Sequence, residues 1–491
     1  MNSVSNEVLI VLIVFLAYWT TVTIFRKKLE ERKISVIGPI LLIRTKKGLK
    51  VLDTLAKPKK FWRAFGDVGI ILVLFGMVYM IFLILIMDYV MVTSPPKPSP
   101  ATNPRNILLI PGLNEFIPLV WGLIGLVVTL IAHEFSHAIL ARVENVRVKS
   151  LGVVLALIPI GGFAEPDEKE LMEREKRSRM RIYSAGISAN LFTAFVAFAV
   201  FFYLLGFLTP HVVVLKSFGN FDEGDAIISV NGYHVETPQD ILKAVDNLKT
   251  VTVKVRKQDG RILDLKIKPI MGVYIVDILN GTPAENVGMK GDSVILSVNG
   301  IKTPNVEKFR ELMLKTKPNE TVNIEVLEDG KIKKFTVRLA EKDGHGFLGV
   351  LIGGDYFSGA VVGYSKNILD SITSIPLNVQ GLLYLTAMPF YFRGFDGITN
   401  YFTPEGIFAN LGDTIFYLLN TFYWIAWLNF YVGLFNCLPA IPLDGGRLLN
   451  DLLKYFMKEK TVDAITKSLA LFVFLSIVLS VIIPNLNGLI G

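Results

Sequence analysis

Six runs of apolar side chains dominate the chain: Val8 to Phe25, Gly69 to Val92, Ile117 to Leu140, Ala185 to Leu208, Ile415 to Leu438, and Leu469 to Ile483 with its flank. About twenty consecutive apolar residues wound as a helix match the hydrocarbon thickness of a bilayer, where only helices and closed barrels satisfy their own backbone. With 52% hydrophobic and 19% charged residues over 491 positions, the chain is too apolar for one soluble domain. The pattern predicts a polytopic α-helical membrane protein of about six transmembrane helices carrying a soluble insert. A further apolar stretch, Asn367 to Phe392, holds Asp370, Asn378, Gln380 and two prolines. It reads as a surface-lying or re-entrant element rather than an additional single span.

Charge orients the spans. Arg26 to Arg63 holds 13 basic and 3 acidic residues, which leaves 38 basic and 40 acidic residues in the rest of the chain. By the positive-inside rule this loop faces the cytoplasm. Its place between two spans explains its charge, so no nucleic-acid partner is inferred. Part of it, "ISVIGPILLIRTKKGLKVL", is expected along the membrane surface. No small-residue cleavage site follows Val8 to Phe25, which therefore reads as an anchor.

The third run ends in "LIAHEFSHAIL", residues 130 to 140. An ionisable group at the centre of a bilayer costs about 2.5 to 3.5 kcal/mol even on the lenient insertion scale, so such groups pair or bind something. His133 lies roughly 24 Å along a helix from Ile117, in the inner third of the bilayer. Residues four apart share a helix face, so His133 and His137 are placed to hold one metal ion, with Glu134 beside them as a base. Catalytic zinc sites commonly have a third protein ligand. Another conspicuous stretch is "LFNCLPAIPLDGGRLLNDLL", residues 434 to 453, where Asn436, Pro439 and Pro442 end one helix and Asp444 opens another. Standing alone, Asp444 also suits the lesser reading of an N-cap.

HEFSH at 133 to 137 and NCLPAIPLDGG at 436 to 446, with "GISAN" at 186 to 190 and "ALIPIGGF" at 156 to 163, resemble the site-2 protease family of intramembrane zinc metalloproteases. The resemblance covers roughly residues 106 to 210 and 346 to 455. It implies one zinc ion per chain held by His133, His137 and Asp444, with Glu134 activating water. It further implies that Asn190 and Asn436 position substrate or site, that Gly161 and Gly162 belong to a membrane-associated β-loop, and that the substrate is a transmembrane protein released by regulated intramembrane proteolysis. A helix hides its amides, so such a substrate must unwind, and residues 151 to 163 could offer it an edge to join as a strand.

The insert repeats itself. "GDAIISVNGYHVETPQDILKAV" from Gly224 and "GDSVILSVNGIKTPNVEKFREL" from Gly291 are similar, each entering an alternating β-rich segment. They look like tandem PDZ domains of the circularly permuted prokaryotic type, α+β modules placed outside the cytoplasm by the span count. Gly272, Val273 and Tyr274 are expected to form the loop that receives a peptide. The first module is expected to have an incomplete groove. The divisions are 1–105 (an N-terminal hairpin with the basic loop), 106–208 (the first half of the protease core), 209–270 and 271–345 (the two modules), 346–412 (an interfacial or re-entrant segment) and 413–491 (the second half of the core). His211, His234 and His345 lack metal spacing and read as surface residues, and Cys437, the sole cysteine, as a small buried hydrophobe. The implied setting is a prokaryotic cell membrane, with an archaeal one as the narrower expectation, and the site toward the cytoplasm. Two other readings stay open: a PDZ scaffold with a structural or remnant metal site, and a membrane-anchored zincin with a soluble third ligand.

Overall fold

The computed structural model describes residues 6–490 except 33, 47–48, 157, 246–247 and 377. The chain divides into two compact units, one of residues 1–203, 379–394 and 418–491, the other of residues 204–378 and 395–417.

The first unit holds the apolar helices. Among the described residues five are long and apolar enough to cross a membrane: Lys59–Thr93, Leu119–Val143, Lys176–Leu205, Thr414–Asn436 and Glu459–Asn485. The first apolar run is also helical, Asn6–Ile24, with its described side chains confined to 13–24. Outward-facing side chains on the long helices are large and apolar; Phe75 is 73% and Phe195 70% exposed, the surface that hydrocarbon would cover. Small residues let the helices meet closely. A Cβ on Gly69 would fall 2.2 Å from Ser188 Oγ, and one on Gly76 2.5 Å from Cys437 Sγ, so Cys437 is packed into a helix contact. Two helices run past their apolar runs into charged ends that pair. Asp67 accepts from Arg177 at 3.0 Å and Arg181 at 2.8 Å, and Glu144 at the end of the HEFSH helix accepts from Arg63 at 3.2 Å and Arg181 at 3.1 Å.

A four-stranded antiparallel sheet, ordered β1 (Ile34–Ile37), β2 (Ile40–Thr45), β3 (Val148–Ala156) and β4 (Ile158–Pro166), belongs to the same unit. The expected β-loop is its β3–β4 half. Part of the basic loop forms the β1–β2 hairpin, turned at Gly38 with φ +59°, and β2 pairs with β3 through Leu42 and Val154. Its aliphatic ISVI and ILLI segments suit a pleated strand. β4 is the edge strand, with Gly161 and Gly162 opposite Val154 and Val153.

The second unit carries both repeats in one twelve-stranded sheet. Each repeat has a hydrophobic core of its own. In each, an Asn-Gly pair with both φ positive (Asn231 49° and Gly232 81°, Asn299 49° and Gly300 75°) makes the tight turn of a short hairpin. Three expectations change here. The first module takes a strand from beyond its expected bounds: Ala360–Tyr364, which follows the second module in sequence, pairs with Val212–Ser217, and Phe357, Ala360 and Val362 enter the first core. The second module extends past 345, since Leu348, Val350 and Ile352 pack in its core. Among the described residues, the segment 346–412 is strand up to Tyr364, then two separate short helices, Lys366–Thr373 and Val379–Ala387, followed by 3-10 turns and the strand Phe402–Pro404. His211 is buried rather than on the surface, bonded through Nε2 to Thr403 Oγ1 at 2.7 Å, while His234 and His345 are exposed.

Candidate active site

Pro118 precedes the HEFSH helix, which runs unbroken through Val143 and so sets His133 and His137 one turn apart on one face. The turn 437–443 after helix Thr414–Asn436 folds the chain back, and Asp444 begins helix Asp444–Leu453. Two glycines permit that fold. A Cβ on Gly445 would strike the Cys437 carbonyl oxygen at 2.4 Å, and one on Gly446 the Ala440 carbonyl carbon at 2.5 Å.

The result is a triangle of ligand atoms. His137 Nε2 lies 3.1 Å from His133 Nε2 and 3.0 Å from Asp444 Oδ2, and His133 Nε2 lies 3.2 Å from the same oxygen. Ligand atoms around a tetrahedral zinc ion stand roughly 3.3 Å apart, so the donor set fits such an ion. The partners of the other ring nitrogens agree. His137 Nδ1–H donates to the Ile182 carbonyl at 2.7 Å, which leaves the lone pair on Nε2. His133 Nδ1 faces the Asn190 amide at 3.1 Å, and the Asn190 Oδ1, buried, has no partner. Turning that amide places Oδ1 on His133 Nδ1–H, relieves the orphaned acceptor and gives both imidazoles the same tautomer.

Glu134 points from the same helix turn into β4, where its Oε2 accepts from Ala164 N–H at 2.6 Å. That bond fixes one carboxylate oxygen, so any proton transfer falls to Oε1. Gly162 permits the close approach, since a Cβ there would lie 3.0 Å from Glu134 Cγ. A cavity of about 830 Å³ opens over His133, Glu134, His137 and Asp444, with Asn436 and Arg447 also on its wall.

Thus the four residues singled out for chemistry meet. Asn190 is wholly buried behind His133, its amide against Nδ1, and is not on the cavity wall. Asn436 lines the cavity, its Nδ2 donating to the Val432 carbonyl at 3.0 Å. Gly272, Val273 and Tyr274 are not a loop. They lie inside strand Met271–Ile278, where Val273 pairs with Ile295 on one side and Asp355 on the other, so no edge remains for a peptide. Gly186 was not singled out from the sequence, yet a Cβ there would fall 2.4 Å from His137 Nε2 and 2.6 Å from His133 Cε1. Only a residue without a side chain lets the GISAN helix back both imidazoles. The GxxxN spacing was the available signal.

Residues 121–481 match the peptidase family M50. The chain belongs to peptidase family M50. This M50 chain is similar to the uncharacterized protein MJ0971 of Methanocaldococcus jannaschii, 26% identical over 93% of this chain and 94% of that one. It is also similar to the regulator of sigma-E protease RseP of Salmonella typhimurium, 24% identical over 68% of this chain and 90% of that protein. The zinc metalloprotease RasP of Shouchella clausii is 26% identical over 35% of this chain and 41% of its own length. A PDZ domain of an SdrC-like protein from Listeria innocua aligns at 22% identity over 16% of this chain and 92% of its own, with a TM-score of 0.16.

Proposed function

We propose that this M50 peptidase hydrolyses peptide bonds within or beside the transmembrane segments of other membrane proteins, with one zinc ion held by His133, His137 and Asp444. The observation that carries the reading is the convergence of three ligand atoms within 3.2 Å of one another, with a glutamate on the adjacent helix position. A divalent ion there would polarise a carbonyl and acidify a water molecule. Glu134 takes the proton released on attack at Oε1 and returns it to the departing amine, while the Ala164 N–H holds its other oxygen still. Ile182 and Asn190 keep the imidazoles in register. The exposed edge of β4 beside Glu134 suits an unwound substrate strand, which supplies the backbone bonds its helix gave up.

The basic loop and alternating spans support a cytoplasm-facing site and an extracytoplasmic second unit. Within that unit, peptide addition falls to Val350–Gly354 instead of Gly272–Tyr274. This stretch of strand Val350–Phe357 pairs only with Met271–Ile278, and Ala360–Tyr364 covers just its last three residues. A purely structural metal site has no use for Glu134, which disfavours the scaffold reading.

The test is cleavage of a membrane-embedded reporter by purified protein. Glu134→Gln is expected to abolish turnover by a factor of about 10² or more while zinc stays bound. Undiminished cleavage by this variant refutes the assignment.

A further inference from the structure

Glu134 and Phe163 line a second cavity, of about 310 Å³, between the HEFSH helix and the face of the sheet. Its walls are apolar: Val127, Leu130 and Ile131 from the helix, Val153 from β3, and the open backbone of Gly161 and Gly162. Glu134 is the one charged residue on the lining. The cavity exists because β4 carries glycine where it passes the helix. A side chain at Gly162 would begin 3.6 Å from Leu130 Cβ and fill the space. Ile131 is 54% exposed and Val153 43%, so the cavity opens onto the outer surface of the helix, the side hydrocarbon covers.

We propose that this cavity is the side-chain pocket for one of the two residues flanking the scissile bond, and that it selects a large aliphatic or aromatic side chain. The inference rests on the protease reading above. Glu134 borders both cavities, so a chain whose carbonyl lies over the metal ligands has its neighbouring side chain within reach of the second space. An apolar side chain enters from hydrocarbon without desolvation cost, and dispersion contacts with Leu130, Ile131 and Val153 hold it. A lysine or arginine there is excluded on two grounds. It must leave its hydration, and once inside it pairs with the carboxylate that has to accept a proton. A small side chain leaves the space unfilled and places the carbonyl loosely.

The test uses the full chain, loaded with zinc and reconstituted in lipid vesicles, and a reporter whose cleavage site has been mapped by mass spectrometry. Each flanking residue is changed in turn to Phe, Leu, Ala, Ser and Lys. At one flank, kcat/KM is expected to be at least about 10-fold higher for Phe or Leu than for Ala or Ser, and lowest for Lys. Leu130→Trp and, independently, Val153→Phe narrow the space. The ratio of Phe to Ala turnover is expected to fall by about 10-fold or more in either one, with zinc content measured as the check on folding. A flat profile at both flanks in the wild type, or an unaltered Phe-to-Ala ratio in both zinc-retaining variants, overturns the pocket and leaves the protease reading intact. Failure of the zinc-loaded wild type to cleave any reporter overturns both.

Discussion

Arg179 and Asp451 form the most enclosed ion pair of the helical unit, and breaking it should propagate to the metal ligands. Arg179 Nε and Nη2 donate to the two Asp451 oxygens at 2.7 and 2.6 Å, with side-chain exposures of 10% and 6%. Its Nη1 donates to the Met172 and Arg174 carbonyls at 3.1 and 2.8 Å. Asp451 lies two turns beyond Asp444 on one helix, and Arg179 lies one turn before Ile182, whose carbonyl holds His137. The pair therefore clamps the carboxylate ligand's helix to the imidazole's support. Asp451→Ala leaves a buried guanidinium with two unpaired donors, a loss of about 3 to 5 kcal/mol for a broken buried pair. The two carbonyls still hold Nη1, so a value near 3 kcal/mol is expected, together with weaker zinc retention against a chelator. Replacing both partners by apolar residues, Arg179→Met with Asp451→Leu, removes the uncompensated charge and should recover most of that loss. The measurement is a double-mutant cycle in unfolding free energy, built from Arg179→Met, Asp451→Leu and the two together, on detergent-solubilised protein, read beside zinc content. An interaction energy below about 0.5 kcal/mol would mean that the sites are independent, and the clamp argument would fail.

Four further outcomes follow from the geometry. Asp444→Ala should drop zinc occupancy sharply at micromolar free zinc, measured by metal analysis, because two imidazoles alone remain. Gly186→Val should do the same although it changes no ligand, since its side chain would occupy the space 2.4 Å from His137 Nε2; retention of zinc in this variant would contradict the packing. Asn190→Asp should preserve zinc better than Asn190→Leu, because a carboxylate still accepts from His133 Nδ1–H. In the second unit, burial, and after it the nearby Arg256 guanidinium, push His211 down to about 4. The unfolded chain takes up that proton near pH 6.5 and the folded unit does not. Stability should therefore fall as pH drops from about 6.5 to about 4, by roughly 3 kcal/mol in total, and His211→Gln should flatten that slope in thermal unfolding.

What could be read from the sequence divides along one line. HEFSH is a contact four residues long on a single helix, and the spans are set by local hydropathy, so both were visible in the order of residues. Asp444 stands 307 positions from His137 and was reached only through the resemblance that its LDGG context carries. The β1–β2 hairpin was not legible because its aliphatic segments become a sheet only once β3, distant in sequence, lies beside β2. Gly272–Tyr274 was misread as a loop for a related reason: it precedes the repeated segment that begins at Gly291, and the strand Val350–Phe357 that occupies one of its edges is distant in sequence. Gly186 marks a subtler gap, since its importance lies in what it lacks, and the two rings it accommodates come from another helix.

The interleaving of the two repeats has a temporal consequence. Strand Val212–Ser217 pairs on one side with nearby Ala226–Val230, but its partner on the other side, Ala360–Tyr364, lies about 150 residues downstream, and the whole second repeat emerges from the ribosome in between. The module that is begun first is thus the last to receive all of its strands, and docking Ala360–Tyr364 closes a loop that contains the whole second repeat, an entropic cost that a folded repeat holding its own ends together would lower.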